Sequence, residues 1–446
     1  MRAIAELAVE PALAVVYEHG WQSWSPTRYY RLTERPHRPI SEHRRLMNYR
    51  PERVAPPDAY WGEGLLAVDP GTGGGVHIFA AADPAGPISS IQATARGDRV
   101  LVSADGELTY SVDTAAATLE EALGRWATEF AGCAGVATVR QAPTLWCSWY
   151  HYFTAVTQAD IDENLLALDE LELDIDVVQI DDGYQAELGD WLALSDRFTS
   201  LRDTVSRIHD HGRRAGIWVA PFLVGERSAL RRDHPEWLVG GVSAGHGWEQ
   251  ELAALDTTHP EAERYLFDVF SYLHSLGIDF FKIDFVYAGA LEGVRADPTL
   301  DGVRVYRRAL QTIRAAIGPD SYLLGCGAPV LPSVGLVDAM RVSPDIAHYV
   351  EPPTGDMSEP SQRAAAENGQ ARAWQHGRFW VNDPDCLIAA PIVEQREAWA
   401  QHVERYGGLR ASSDRLHALD DWGLATTRRL VVPVRSTPLS PWDGGL

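Results

Sequence analysis

Phe280-Phe281-Lys282-Ile283-Asp284-Phe285 is an apolar run carrying one cation and one carboxylate two residues apart. Read as a strand, it alternates its side chains, so Lys282 and Asp284 share a face. Taken alone, such a pair reads better as a structural ion pair than as chemistry. Repetition changes the reading. Short apolar stretches also run into carboxylates at Gln179-Ile180-Asp181-Asp182, Arg341-Val342-Ser343-Pro344-Asp345 and Asn382-Asp383-Pro384-Asp385. Polar groups gathered at the ends of successive parallel strands are how a (β/α)8 barrel assembles a site on one rim.

Working outward from this stretch, the spacing predicts strands over 145–149, 177–181, 216–221, 279–284, 321–325, 339–343, 379–382 and 408–412. Amphipathic helices fall between them, over 158–171, 201–211, 260–276, 302–317, 360–376 and 392–406. This alternation fits a closed parallel (β/α)8 TIM barrel. An open doubly wound sheet would want a glycine-rich phosphate turn after its first strand. The turn here is Cys147-Ser148-Trp149-Tyr150-His151-Tyr152-Phe153, which is aromatic and unsuited to a pyrophosphate.

Before the barrel the pattern is β-rich. Strands are expected over 12–17, 75–80 and 99–103, separated by glycine and proline turns. Residues 1–117 therefore read as a shortened N-terminal β-sandwich and 118–142 as a linker helix opened by Thr118. The barrel occupies 143–415, and 416–446 is a short tail with one or two strands and little or no C-terminal β-domain.

Composition narrows the function classes. The chain has 446 residues, 62 acidic against 39 basic, for a net charge of −23. An acidic surface repels phosphates, which argues against nucleic-acid and anionic-membrane partners and toward a neutral substrate. The four cysteines (Cys133, Cys147, Cys326 and Cys386) are far apart, with no zinc-ribbon or disulfide spacing. There is no run of about 18 apolar residues, and Glu6 and Glu10 interrupt the apolar start, so a cytoplasmic enzyme is expected. His209 and His211 sit at a helix end, where they favour the dipole rather than a metal. The Asn382–Asp385 stretch reads as a turn and a helix start.

For chemistry, Asp284 and Asp345 form the natural pair. Cleaving a glycosidic bond takes two carboxyl groups flanking it, one ionised and one protonated. Lys282 beside Asp284 is expected to keep that carboxylate ionised, while Asp345 needs a raised pKa to act as an acid. Arg341, four residues earlier, can hold a hydroxyl or a carboxylate. Asp181 and Asp182 suit bidentate bonding to vicinal hydroxyls. Trp149, Tyr150 and Trp218 offer ring faces to sugar C–H groups. Gly20-Trp21-Gln22-Ser23-Trp24 reads either as core aromatics or as a loop presenting a ring to a sugar. Cys326 reads as a small buried rim residue with no catalytic histidine nearby.

Trp146–Phe153, Gln179–Tyr184, Gly216–Phe222, Phe281–Phe285, Leu324–Pro329, Met340–Asp345 and Phe379–Cys386 occur in an order that resembles glycoside hydrolase family 36, the α-galactosidases or melibiases. The likeness spans about residues 143–413, and Gly20–Trp24 is similar to a loop of that family's N-terminal domain. The resemblance implies a retaining exo-α-galactosidase acting by double displacement on small oligosaccharides. In it Asp284 is the nucleophile and Asp345 the acid/base. Trp24, Trp149, Tyr150, Asp181, Asp182, Trp218, Lys282, Cys326 and Arg341 contact the substrate, and no cofactor or metal is required. A homo-oligomer is a further expectation, since barrel surface left bare by the missing C-terminal domain must be covered. Against that stand an α-N-acetylgalactosaminidase or galactosyl transferase on the same scaffold, a metal-dependent barrel hydrolase, for which only His151 closes strand one, and a sugar-binding protein without turnover.

Overall fold

The computed structural model describes residues 1–439, so the last seven residues of the tail discussed above lie outside the described residues. Eight parallel strands form one sheet: Thr144–Cys147, Val177–Ile180, Arg214–Val219, Ile278–Ile283, Tyr322–Gly325, Ala339–Arg341, Val381–Asp383 and Arg410–Ser412. Each of the first six pairs with its successor in sequence, and the eighth returns to the first. The seam between strands seven and eight is bridged by the Gly408 and Leu409 amides, which donate to Asn382 O at 3.0 and 3.1 Å, and by the Leu387 amide to Ala411 O at 2.7 Å. The strands are almost continuously buried because helices cover one face and side chains fill the other. Phe280, Phe281 and Ile283 are completely buried.

The helices start where the sequence supplies a cap. Thr157 and Asp160 form a reciprocal capping box before Gln158–Glu170, and Ser200, Asp301 and Ser361 each accept from an amide in the first turn of their helices. The expected 302–317 helix is found as Gly302–Ile317, stopped by Gly318 at φ 74°. The tail needs correcting. The strands expected there are a helix, Asp421–Leu430, capped by Asp420. Gly423, Thr426, Thr427 and Leu430 bury one helical face, so the two threonines fall on that spacing, while Val431 and Val432 follow the helix end.

An insertion between barrel strands three and four went unread in the sequence. Leu223–Gly225, His246–Gly247 and Gln250–Ala254 build a small antiparallel sheet over the rim.

The N-terminal part is two antiparallel sheets. One orders Arg2–Ala8, Arg99–Ala104, Ser90–Arg96 and Tyr60–Glu63. The other orders Arg28–Arg31, Val15–Glu18, Leu65–Asp69, Val76–Ala80 and Thr109–Asp113. The alternation in Leu65–Asp69 shows how the second sheet is used on both faces. Leu66 and Val68 enter the core between the sheets, whereas Leu65 and Ala67 face the barrel side. The helix Leu119–Cys133 lies along that outer face, and Tyr17, Trp126, Phe130, Trp374 and Phe379 join it to the barrel in an aromatic seam. Among the described residues no helix is long and apolar enough to cross a membrane.

Loop 20–26 runs from the second sheet onto the barrel rim. The Ser23 amide donates to Ala328 O at 3.1 Å and the Val330 amide to Trp21 O at 2.9 Å. Arg372, completely buried, gathers the loop's carbonyls, donating to Ser23 O, to Gln22 O at 2.9 Å and to Ser25 O at 3.2 Å. It also donates to Val342 O at 2.8 Å beside barrel strand six. Burial pulls this guanidinium down to about 10.

Candidate active site

Asp284 follows the last residue of strand four. Its amide donates to Val219 O at 2.9 Å, which carries its carboxylate to the C-terminal rim. Two donors then fix it. Trp218 Nε1–H donates to Oδ2 at 3.0 Å, and the amide of Phe285 donates to Oδ1 at 2.7 Å. The second bond exists because Phe285 is left-handed, at φ 51° and ψ 27°, which folds its own amide back onto the preceding side chain. A non-glycine residue in that region carries strain, and such strain clusters at functional sites.

The expected reason for Asp284's charge needs revising. Lys282 does point to the same face, but its Nζ donates to Asp181 Oδ2 at 2.9 Å, with both groups buried. Burial opposes the ammonium. Asp181, helped by Cys147 and Asp284, more than offsets this and holds Lys282 well above the usual lysine value. Asp181 is held from strand two as well: Gln179 Nε2 donates to Oδ2 at 2.6 Å, and the Asp182 amide to Oδ1 at 2.9 Å. Asp182 points into a separate setting, where Gln185 Nε2 donates to Oδ1 at 2.5 Å and Trp248 Nε1 to Oδ2 at 2.7 Å. Burial pushes Asp182 up to about 6, those two donors pull the other way, and the charges of Asp181 and Asp284 add to the rise.

Arg341 closes strand six and holds three carboxylates: Asp345 Oδ1 at 3.2 Å, Asp383 Oδ2 at 3.1 Å and Asp385 Oδ1 at 2.8 Å. Asp345 follows Pro344 on the loop beyond. Burial raises its pKa, Arg341 opposes the rise, and the charge of Asp284 supports it. About a third of the side chain, 32%, opens into the cleft, so solvent softens that rise until a ligand covers the group. Asp345 and Phe285 line one cleft, and the Phe285 amide holds Asp284, so the two carboxyl groups belong to one site.

Around this pair stand the other expected residues. The Tyr150 amide donates to Ser413 Oγ at 2.8 Å, and its hydroxyl donates to Asp385. Trp149, half-buried, sets its ring edge-on to Phe153 at 5.3 Å. Cys326 follows strand five, fully buried; burial first, and Asp284 next, push its thiol well up, so it is a neutral wall. Trp24 reaches over from loop 20–26 and meets Phe285 edge-on at 4.8 Å. Together with Asp345, Arg44 and Trp248 these two rings line a cleft of about 240 Å³. The indole Nε1 of Trp24 is buried and has no partner among the described residues.

Sequence reasoning missed several contributors. Asp383 and Asp385 do not open a helix, since the next helix is Arg396–Tyr406; they anchor Arg341 instead. The repeated strand-end carboxylate was the available signal. Trp248 and Gln185 had none, being distant in sequence from Asp182's strand or ordinary in their turn. His43 and Arg44 come from a five-residue helix, Glu42–Leu46. His211 pairs with Asp169 Oδ2 at 2.5 Å. Among the described residues no group of three or more His, Cys, Asp or Glu side chains is arranged to hold a metal ion.

A closed parallel barrel with two carboxyl groups and a ring of aromatics at its C-terminal rim defines a barrel glycoside hydrolase. A family model described as Melibiase matches residues 137–296. Among solved structures, the α-galactosidase TtGalA of Thermus thermophilus, in complex with p-nitrophenyl α-D-galactopyranoside, is 30% identical. It superposes with a TM-score of 0.78 over 96% of this chain and 88% of that one. The family 36 α-galactosidase AgaA of Geobacillus stearothermophilus, 13% identical with a TM-score of 0.64, shares the fold over 96% of this chain and 61% of its own. The bifunctional α-galactosidase/sucrose kinase AgaSK of Mediterraneibacter gnavus is 32% identical over 169 residues, 34% of this chain. That alignment spans only 18% of the relative's length. The chain belongs to glycoside hydrolase family 36, the melibiase family of α-galactosidases.

Proposed function

We propose that this chain is a retaining exo-α-galactosidase that releases terminal α-D-galactosyl residues from small oligosaccharides, with Asp284 as nucleophile and Asp345 as acid/base. The observation that carries the reading is the contrast between the two carboxyl groups. Asp284 has both oxygens fixed by donors, Trp218 and the Phe285 amide, while Asp345 is a loop carboxyl with its pKa raised by burial and by the charge of Asp284. One group is built to attack, and the other is built to hold a proton. The relatives agree in kind: TtGalA has been solved with p-nitrophenyl α-D-galactopyranoside and with stachyose.

In the first step an Asp284 oxygen bonds to the anomeric carbon as the bond to the leaving oxygen breaks, and that oxygen takes the Asp345 proton. In the second, Asp345, now a carboxylate, takes a proton from water. The water oxygen bonds to the anomeric carbon and the ester to Asp284 breaks, restoring both groups. Asp181, Asp182, Lys282 and Arg341 supply the polar partners for the sugar's hydroxyls, and Trp24, Trp149 and Trp218 supply its apolar faces.

Because the first step needs Asp345 protonated, kcat/KM is expected to fall as pH rises through its elevated value. Asp345→Ala should abolish that alkaline limb. On a poorly activated galactoside such as raffinose it should cost about 10²- to 10⁴-fold. On an aryl galactoside with a good leaving group the first step should suffer much less, and azide should restore turnover, giving α-galactosyl azide. Equal losses on both substrates, with no azide product, would remove Asp345 from this role.

A further inference from the structure

The tip of the inserted hairpin is an unusual place for a tryptophan. Gly247 pairs with Gln250, leaving Trp248 and Glu249 as a two-residue turn. Both are left-handed, at φ 50° and 58°. Turns of this primed kind normally carry asparagine and glycine, because other side chains are strained there. Here the strain is held in place. Gln250 Oε1 accepts from the Arg227 amide at 2.9 Å, Gln250 Nε2 donates to Glu187 at 3.1 Å, and Arg227 Nη2 donates to Trp248 O at 3.3 Å. The outcome is an indole delivered into the cleft. Its Nε1–H sits 2.7 Å from Asp182 Oδ2, and its ring lies 5.0 Å from Phe285 and 6.5 Å from Trp218.

We propose that Trp248 is a positioning residue that sets glycone specificity, by locking Asp182 in the orientation that receives the sugar's hydroxyls. This rests on the α-galactosidase reading above. With Gln185 on Oδ1 and Trp248 on Oδ2, each oxygen of Asp182 keeps one lone pair for a ligand, and the carboxylate cannot rotate. A sugar lacking the matching hydroxyl leaves a buried, immobilised acceptor unpaired, which is the condition for strong rejection. A carboxylate free to turn could satisfy itself elsewhere and would discriminate less.

The test uses Trp248→Phe, which keeps an aromatic ring and removes the N–H, against a panel of monodeoxy aryl α-galactosides. The wild type should reject one or more of them by at least about 10²-fold relative to the parent. Trp248→Phe should reduce that rejection by tenfold or more, raising KM for the parent about tenfold while kcat changes less. The acid limb of kcat/KM should also move. Asp182 faces Asp181, Asp284 and Tyr184, with Gln185 and Trp248 as donors, and losing the indole N–H removes a group that favours its charged form. The limb set by Asp182 should therefore shift upward in pH. Trp248→His, which restores a ring N–H, should recover part of the discrimination. Thermal unfolding checks that each variant is folded. A Trp248→Phe enzyme with wild-type Tm, deoxy-sugar discrimination and acid limb overturns the inference while leaving the activity standing. So does a histidine variant no better than phenylalanine. A wild type that turns over no α-galactoside overturns both.

Discussion

Asp284→Ala loses at least about 10⁴-fold in kcat/KM for an aryl α-galactoside, the scale on which removing a covalent nucleophile acts. The loss appears with good and poor leaving groups alike, which separates it from the Asp345 variant. Nothing near Asp284 can replace it. Asp181 is committed to Lys282 and Gln179, and Asp182 to Trp248 and Gln185. Azide entering the space left by the carboxylate should attack from the same side and give β-galactosyl azide, the opposite anomer from the Asp345→Ala product. An activated galactosyl inactivator should leave an ester on the peptide containing Asp284 in the wild type and none in the variant. Wild-type turnover by Asp284→Ala, or an adduct on another residue, would remove it from the mechanism.

Arg341→Met carries the second large effect, on stability as well as turnover. The guanidinium is buried and neutralises Asp383 and Asp385, whose side chains are 3% and 0% exposed. Removing one member of a buried ionic cluster leaves charge without compensation, and the expected cost is about 3–5 kcal/mol. The pH dependence follows from Asp385. Burial first, opposed by Arg341 and supported by Asp345 and Asp383, already pushes it up to about 6 in the folded protein. A carboxyl raised on folding binds its proton more tightly in the native state, so its stabilising share is present at low pH and is lost as pH rises through the folded value. Without Arg341 that value climbs further. The deficit of Arg341→Met should therefore be largest near pH 8 and shrink toward pH 5, as read from urea midpoints across that range. A deficit below about 1 kcal/mol, flat with pH, contradicts the reading of this cluster.

These effects trace back to features of uneven legibility in the chain. The barrel was readable because strands buried on both faces are short apolar runs and the helices between them repeat on a helical period; all eight strands fall where that pattern puts them. Asp284 and Asp345 were readable as candidates because each follows a strand. Their partners were not. Nothing in Lys282's neighbourhood says that it reaches across to Asp181 rather than leaning on Asp284, since that depends on which barrel strands are adjacent. Asp383-Pro384-Asp385 carries the chemistry of a turn, and only the buried guanidinium opposite shows what it is for. Trp248 was least accessible of all. Gly247-Trp248-Glu249-Gln250 lacks the residues that announce a hairpin, because the tip accepts strain to place its indole. The tail helix was misread because β-branched residues obscured a short helical face.

Arg372 and loop 20–26 bear on how such a chain can be rearranged. One wall of the pocket, Trp24, is supplied by residues far upstream and is tied down by a cation from the other end of the polypeptide. The barrel is thus not a cassette that recombination could lift out intact. A version beginning near residue 118 would keep both carboxyl groups yet hold an ungathered arginine and an open flank where the tryptophan stood. Heredity for this catalyst has to transmit the leading sheets and the barrel as a single inseparable unit.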